Sequence, residues 1–259
     1  FINIFIIIYQ GTLTLSINYI FRRNIMIISF SGPDGAGKTT QIKKLLSYFS
    51  KKGLSVGAVQ DINSNIRYTI GDDLTSYYDY LKQFDVIHTR FRLHSKENVE
   101  IMDLVQFIST GNKWLTSYSA YTSFYDSEQW YKFVTKPLLD DNKILIFDKY
   151  FFDDVAFKTA YGCEYSWLKA LHKYSQIPDI ALYLKVNRET ILKHNESRKD
   201  LKNILYQKEE NTKNLLNSFE QLTKDYPLHA IEANGTPEDV HKNIMIYLKS
   251  LPQFNKLFN

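Results

Sequence analysis

The stretch Gly32-Pro33-Asp34-Gly35-Ala36-Gly37-Lys38-Thr39-Thr40 follows an apolar run at residues 25–30 and precedes apolar residues at helical spacing. It fits the pattern G-x-x-x-x-G-K-[ST] of a phosphate-binding loop between a strand and a helix. Glycines let consecutive backbone N–H groups turn inward around an anion, and the following helix contributes the positive end of its dipole. The stretch therefore predicts an α/β fold in which nucleotide phosphate is the leading ligand.

Individual residues of this loop have predictable roles. Lys38 is expected to reach the β- and γ-phosphates of a nucleoside triphosphate, and Thr39 to hold Mg²⁺ through its hydroxyl. The remaining predicted contacts with the nucleotide come from Gly32, Asp34, Gly35, Ala36, Gly37 and Thr40. ATP and Mg²⁺ are thus the predicted cofactors.

Composition argues against several other classes of protein. The 259 residues carry a formal net charge of +4, with basic residues interleaved among acidic ones instead of forming a stripe. This weak excess suits anionic small molecules and does not indicate nucleic acid. Cys163 is the only cysteine, so an intrachain disulfide and a cysteine-based metal cluster are excluded, and we expect a cytoplasmic protein.

The first 25 residues are expected to be a dispensable N-terminal extension. Their apolar run from Ile4 to Tyr9 is too short to span a bilayer. Arg22 and Arg23 follow this run, whereas a signal peptide has basic residues before its apolar segment. We predict no stable membrane insertion, and two alternatives stay open: a membrane anchor, and an edge strand over residues 12–18.

Strand-like runs alternate with helical segments between residues 26 and 251. The five runs cover residues 25–30, 55–60, 144–147, 180–186 and 229–233. This alternation predicts one α/β domain with a sheet flanked by helices. Residues 61–125 are longer than a simple crossover needs, and we interpret them as a mostly helical insertion over the acceptor site. Residues 252–259 are taken as a C-terminal tail.

Three blocks of the sequence resemble the thymidylate kinases. The first runs from Ile28 through the phosphate loop to Gln41. The second contains Lys136-Pro137-Leu138-Leu139 and an apolar strand ending in Asp148-Lys149-Tyr150, where the family has Asp-Arg-Tyr or Asp-Arg-His; the third extends from Asp179 to Arg198. The resemblance covers roughly residues 25–251. It implies a P-loop nucleoside monophosphate kinase with a parallel five-stranded sheet, strand order 2-3-1-4-5, and a mobile lid near residues 188–206.

The resemblance also assigns roles to single residues. Asp34 would face the sugar or phosphate of the acceptor nucleotide, and Arg198 would close over the transferring phosphoryl group from the lid. Asp148, at the end of a strand beside the phosphate loop, is placed to hold Mg²⁺ through water. Lys149 replaces the arginine that clamps the acceptor phosphate, so the charge is kept but the bidentate contact is lost. We therefore predict catalytic roles for Lys38, Asp148 and Arg198.

The residues around the acceptor base depart from the family pattern. Ser127 stands where the family has an arginine that reads the thymine edge, and Phe157 and Lys158 stand where a Tyr-Gln pair lies by the base. A pocket that lacks these hydrogen-bond donors cannot be assumed to select thymine. Arg90 and Arg92, in the insertion, are candidates for replacement cations at the acceptor, together with Lys149 and Phe157.

The favoured function is ATP-dependent phosphoryl transfer to a nucleoside monophosphate, foremost dTMP or a related deoxynucleotide. A deoxynucleoside kinase is one alternative; it would use a carboxylate such as Asp61 or Asp148 as base for a hydroxyl acceptor. A regulatory protein that binds nucleotide without phosphotransfer is the other. His194 stands where another lid arginine is often found, which favours that alternative, whereas the intact phosphate loop opposes it. Small nucleotides are the predicted partners, and a homodimer stays open.

Overall fold

The structure is a computed structural model. Its N-terminal residues form a separate hairpin. The structure describes residues 4–9, 12–17, 26–54, 56–62, 65–70, 73–76, 113–131, 144–195 and 209–258. Strands β1 (Ile4–Tyr9) and β2 (Thr12–Ile17) pair antiparallel with each other and make a two-stranded sheet of their own. The strand allowed over residues 12–18 therefore forms, but in the described ranges it pairs with β1 and not with the edge of the main sheet.

The main sheet contains seven strands in the described part of the chain. They are β3 (Met26–Ser31), β4 (Val56–Ile62), β5 (Asn65–Ile70), β6 (Asp73–Ser76), β7 (Ile144–Asp148), β8 (Ile180–Lys185) and β9 (Leu228–Glu232). Their order across the sheet is β6-β5-β4-β7-β3-β8-β9. Parallel ladders join β4, β7, β3, β8 and β9. When these five parallel strands are numbered from 1 to 5 along the chain, their order across the sheet is the predicted 2-3-1-4-5.

The prediction of five strands for the whole sheet was too low. Strands β5 and β6 extend it antiparallel from β4, at the start of the segment that we expected to be mostly helical. Ile66, Tyr68 and Ile70 recur at every second residue, a strand period that favours a hairpin over a helix. Residues 77–112, which hold most of the predicted insertion, lie outside the described residues.

Helices lie between the parallel strands and at the C-terminal end of the described chain. They are α1 (Lys38–Lys51), α2 (Lys113–Trp130), α3 (Phe151–Ala160), α4 (Tyr165–Leu171), α5 (Arg188–Asn195), α6 (Glu209–Asp225), α7 (Pro237–Ser250) and α8 (Pro252–Asn255). Helix α1 ends just before Gly53, whose φ is 70°. Thr236 caps α7 by accepting a hydrogen bond from the Asp239 N–H at 3.2 Å. Within the described ranges, no helix is long and apolar enough to cross a bilayer.

The central strands and α1 form the core that carries the phosphate loop. Ile28 and Phe30 of β3 have no exposed surface, and neither do Ile42 and Phe49 of α1. Strands β3 and β7 are parallel, with Phe30 paired to Asp148. The loop that follows β3 therefore leaves the sheet beside the carboxylate at the end of β7.

The segment interpreted from sequence as a tail is packed in the structure. Helix α8 and the 3₁₀ turn Lys256–Phe258 lie against α1. Phe254 is fully buried with its ring centroid 5.9 Å from that of Phe49, and the Phe258 ring lies 6.1 Å from that of Tyr48. These residues complete the outer side of the phosphate-loop helix.

Candidate active site

The phosphate loop depends on glycine at several positions. Gly32, Gly35 and Gly37 have φ values of 141°, 85° and 87°, a region that L side chains rarely adopt. A Cβ atom at Gly32 would lie 2.9 Å from the carbonyl oxygen of Leu184, so a side chain there would also collide with β8. Gly37 is the residue just before α1 and allows the turn into the helix.

Lys38 folds back over the phosphate loop. Its Nζ donates hydrogen bonds to the carbonyl oxygens of Gly32 at 2.7 Å and Pro33 at 3.0 Å, and the residue is only 6% exposed. These acceptors are neutral, and phosphate oxygens are charged and therefore stronger acceptors for the same ammonium group. The loop thus holds its lysine within reach of the position where phosphate is expected.

Thr39 at the start of α1 and Asp148 at the end of β7 face each other. The Thr39 hydroxyl donates to Asp148 Oδ2 at 2.7 Å. Asp148 Oδ1 is buried and has no hydrogen-bond partner among the described residues. A hydroxyl and a carboxylate are the oxygen ligands that Mg²⁺ prefers, and Mg²⁺ keeps several waters of its own. The two residues fit a magnesium site.

Lys149, Asp34 and Phe157 come together next to the loop. Lys149 Nζ lies 3.2 Å from Asp34 Oδ1 and 5.7 Å from the centroid of the Phe157 ring, within the range of a cation–π contact. Lys149 has a φ of 75°, the one positive value for a non-glycine residue in the described chain. This conformation costs about 1–2 kcal/mol. The Lys149 N–H donates to the Phe30 carbonyl at 2.9 Å, which helps to hold it.

Asp153 is a residue of this region that the sequence analysis missed. Its Oδ1 accepts a hydrogen bond from the Gly32 N–H and its Oδ2 accepts one from the Tyr150 N–H, both at 3.0 Å. The residue is 3% exposed, and burial raises its pKa against the opposing effect of the Lys38 charge. An acid at the third position of a helix, able to reach back to the N-cap N–H, was the available sequence signal.

The described part of the predicted lid contacts the loop through His194. Its Nδ1 lies 2.8 Å from the carbonyl oxygen of Gly35, while the Ala36 N–H donates to the Pro33 carbonyl at 3.2 Å. The Gly35–Ala36 peptide is therefore held at both of its polar atoms. Arg198, Arg90 and Arg92, which the sequence analysis proposed for the lid and the acceptor, lie outside the described residues, as do residues 196–206 of the lid.

Lys158 is buried between α3 and α2. Its Nζ donates to Ser119 Oγ at 2.6 Å, and the residue is 4% exposed. Burial lowers its pKa, and the charge of Asp154 opposes this effect. Phe157 and Lys158 were both expected beside the base; in the structure the Phe157 ring lies near Lys149, whereas the Lys158 ammonium group bonds to Ser119. Ser127 belongs to α2, and its side chain lies outside the described residues.

The fold and this arrangement define a class of protein. A glycine-rich loop leads from a buried central strand into a helix, its lysine is held over the loop, and a threonine and an aspartate oppose each other beside it. This combination is typical of P-loop nucleotide-binding proteins. The predicted P-loop α/β fold is confirmed.

Comparison with protein families narrows this class. The thymidylate kinase family model matches residues 101–244, more than half of the chain. The chain therefore belongs to the thymidylate kinase family and is a kinase that acts on small nucleotides. The matched range begins after the phosphate loop, so the loop adds to the match as a separate observation.

Individual relatives agree with this assignment. A probable thymidylate kinase from Thermococcus gammatolerans is 22% identical over 221 residues, which cover 85% of this chain and 94% of that protein. A crystal structure of thymidylate kinase from Ehrlichia chaffeensis superposes with a TM-score of 0.55 at 18% identity, covering 86% and 98% of the two chains. Deoxyadenosine kinase from M. mycoides with bound dATP gives a TM-score of 0.52 at 17% identity, covering 86% and 99%. The two structures share their fold with this chain.

Proposed function

We propose that the protein transfers the γ-phosphoryl group of ATP to dTMP or a closely related deoxynucleoside monophosphate. The observation that carries this proposal is the position of the Lys149–Asp34 pair, 3.2 Å apart and next to the phosphate loop. Asp34 belongs to the loop, and Lys149 directly follows the proposed magnesium ligand Asp148. A cation for an acceptor phosphate would thus stand beside the donor phosphates.

Catalysis would consist of positioning and charge neutralisation. Thr39 and Asp148 would hold Mg²⁺, which neutralises charge on the donor phosphates when bound. Lys38 would leave the carbonyls of Gly32 and Pro33 for the β- and γ-phosphates, and Lys149 would hold the acceptor phosphate. Arg198 is proposed to reach the transferring group from the lid. No covalent intermediate is required in this scheme.

Fewer of the described contacts bear on the identity of the acceptor base than on the binding of phosphate. The Phe157 ring offers a flat apolar surface beside Lys149, which suits stacking with a base but does not distinguish one base from another. Lys158 is engaged with Ser119 and is buried. Arg90 and Arg92 are retained as proposed acceptor contacts. We therefore expect a broader acceptor range than a site with dedicated donors to the thymine edge would give.

Transfer to a hydroxyl group, as in a deoxynucleoside kinase, is the second candidate, and the deoxyadenosine kinase fold similarity is compatible with it. It needs a carboxylate that can act as a base for the hydroxyl. Asp34 is paired with Lys149, and Asp148 accepts from Thr39 through Oδ2 while its Oδ1 is assigned to the proposed magnesium site, so neither carboxylate is left to act as a base in this scheme. This arrangement favours a monophosphate acceptor, which needs no base.

Cellular setting and partners are further proposals from composition. One cysteine and a net charge of +4 support a cytoplasmic enzyme whose partners are small nucleotides and not nucleic acid. Whether it acts as a monomer or as a homodimer is a matter for sedimentation measurements on the purified chain.

A phosphate-transfer screen tests the proposed function. The full chain with ATP and MgCl₂ is assayed against the deoxynucleoside and ribonucleoside monophosphates and the corresponding nucleosides, with Lys38→Ala as the inactive control. We expect dTMP or a related deoxynucleotide to be the best acceptor, and chelation of Mg²⁺ to stop turnover. Preference for a nucleoside would support the deoxynucleoside kinase instead. ATP binding without any transfer would support a regulatory protein.

A further inference from the structure

Asp153 joins two parts of the site that are far apart in sequence. One carboxylate oxygen accepts from Gly32, the first glycine of the phosphate loop, and the other from Tyr150, which directly follows Lys149. Gly32 and Asp153 are 121 positions apart. A single side chain thus holds the backbone on which the donor phosphates are expected and the backbone that carries the acceptor cation.

A purely local role would need only one of these bonds. An acid at the third position of a helix stabilises the helix start by accepting from the N-cap N–H, here that of Tyr150. The bond from Gly32 is additional, and it requires the carboxylate to be buried, 3% exposed, beside the charge of Lys38. Burying a carboxylate is costly unless its oxygens are hydrogen-bonded, so both bonds must persist for the residue to remain there.

The bond to Tyr150 also acts on Lys149. Lys149 is held at a φ of 75° between its own N–H bond to Phe30 and the Tyr150 N–H bond to Asp153. Losing the second bond would free the strained residue to relax toward a negative φ. The direction of the Lys149 side chain toward Asp34 would then no longer be constrained relative to the loop.

We propose that Asp153 is a positioning residue that sets the distance and orientation between the phosphate loop and Lys149, and so aligns donor and acceptor phosphates for transfer. This role rests on the proposed phosphoryl transfer to a monophosphate. Asp153 does not contact either substrate in this proposal; it acts through the Gly32 and Tyr150 peptides. Because the alignment of reacting groups affects the rate of the chemical step, its loss lowers kcat more than it raises either KM.

Asp153→Asn is the informative variant because it keeps the shape of the side chain. An amide group has one acceptor oxygen and one NH₂ donor, so it can accept from Gly32 or from Tyr150 but presents a donor to the other N–H. One of the two connections must break. Asp154→Asn is the matched control: it removes the same charge from the same first turn of α3 and leaves the carboxylate of Asp153 as acceptor for both Gly32 and Tyr150.

The hydrogen bonds are tested first, without substrate. In ¹⁵N-labelled protein, we expect the amide signals of Gly32 and Tyr150 to move upfield in Asp153→Asn, because an amide proton bonded to a carboxylate resonates downfield. The same two signals should stay in place in Asp154→Asn. Unchanged signals in Asp153→Asn would overturn the proposal.

Steady-state kinetics then test alignment. We expect kcat per folded molecule with ATP and dTMP to fall about tenfold in Asp153→Asn, with each KM changed less than about threefold. Thermal unfolding supplies the folded fraction, so that lost stability is not counted as lost kcat. Equal kcat in Asp153→Asn and Asp154→Asn would overturn only the positioning role. A wild-type chain that phosphorylates no monophosphate would overturn the proposed function, and the positioning role with it.

Discussion

The donor side and the acceptor side of this site are built in different ways. The proposed donor side, Gly32 to Thr39, is a run of consecutive residues that is completed by Asp148 from the neighbouring strand. The proposed acceptor side consists of Asp34, Lys149 and Phe157, which come from the loop, the position after β7 and the middle of α3. The donor side is therefore set mainly by local backbone chemistry, and the acceptor side by how distant segments pack.

This difference predicts different tolerance to substitution. The loop conformation depends on glycines and on a lysine held at two carbonyl oxygens, so most changes there should abolish phosphate binding. Lys149 and Phe157 lie outside the glycine loop, so we expect their exchange to leave the conformation of the loop in place. A change in substrate preference is thus easier to obtain than a change in the phosphate donor.

The largest effect is expected from Lys38→Ala, which removes the ammonium group of the phosphate loop and changes no residue of the proposed acceptor side. Loss of the charge that stabilises the transferring group should cost at least ~3 kcal/mol of transition-state stabilisation, a fall in kcat of more than about a hundredfold. Stability should also fall, by about 2–3 kcal/mol, because the variant loses the bonds to Gly32 and Pro33 and the positive charge beside buried Asp153, so kcat is compared per folded molecule. Lys44→Ala, which removes an exposed pair with Glu238, is the control. Retained turnover in Lys38→Ala would contradict the role assigned to the loop.

Low pH should lower the stability of the region around the proposed acceptor residues, because His172 packs against Phe151 of α3. The His172 ring is 2% exposed, stacks on Phe151 at 5.1 Å and contacts Phe124, and burial lowers its pKa to about 4. Below pH 6.5 the unfolded chain binds a proton that the folded chain does not. The free energy of unfolding should therefore fall by about 3 kcal/mol between pH 6.5 and 4.

Urea unfolding at pH 7.5, 5.5 and 4.5 measures this effect. His172→Phe should lose less stability on acidification than the wild type, since its ring has no proton to bind. His229→Phe, on β9, should lose a smaller part of the acid sensitivity, because burial lowers the pKa of His229 as well but His229 is the more exposed of the two rings. The same acid loss in wild type and His172→Phe would show that other groups control it.

Lys149→Arg changes the cation of the proposed acceptor side and leaves the residues of the proposed donor side as they are. Arginine can offer two parallel hydrogen bonds to a phosphate where lysine offers a point charge. We expect the KM for dTMP to hold or to fall by up to about tenfold, with the KM for ATP unchanged. Steady-state titrations of each substrate are the measurement. Weaker acceptor binding with unchanged ATP binding would mean that Lys149 serves a ligand of a different shape.

Deletion of residues 1–25 should have the smallest effect, because neither side of the site uses them in the described structure. Strands β1 and β2 pair only with each other there. We expect unchanged ATP and dTMP kinetics and a melting temperature close to that of the full chain. Aggregation or loss of ATP binding would show that the extension is structural, and membrane fractionation of the full chain tests the anchor alternative.

The parallel sheet and the phosphate loop were predictable because each has a strong local signal. Apolar runs such as residues 144–147 are typical of buried parallel strands, and the loop pattern needs its glycines and lysine at set positions. The hairpin of β5 and β6 was missed because the polar, tyrosine-rich stretch around it was interpreted as a helical insertion. Its alternation at Ile66, Tyr68 and Ile70 was a weaker signal over a short run.

The sequence supplied candidate residues for the acceptor side, and these stay predictions; it did not supply the geometry that brings them together. Lys149 and Phe157 were identified by resemblance, yet their contact depends on the left-handed backbone at Lys149 and on where α3 begins. Asp153 was missed because its partner Gly32 is distant in sequence, and a carboxylate early in a helix usually has only a local role. Interactions of this kind follow from the packed fold and not from a motif.

The packing of Phe254 and Phe258 on α1 bears on how the chain folds during synthesis. Tyr48 and Phe49 leave the ribosome roughly 200 residues before the aromatic rings that cover them, a delay of about 10–40 s at ordinary elongation rates. Throughout this interval the outer side of the nucleotide-binding helix stays uncovered and open to chaperones or to neighbouring nascent chains. A stop codon before residue 252 would therefore release a chain that contains the whole of α1 but lacks the aromatic rings that cover its outer side.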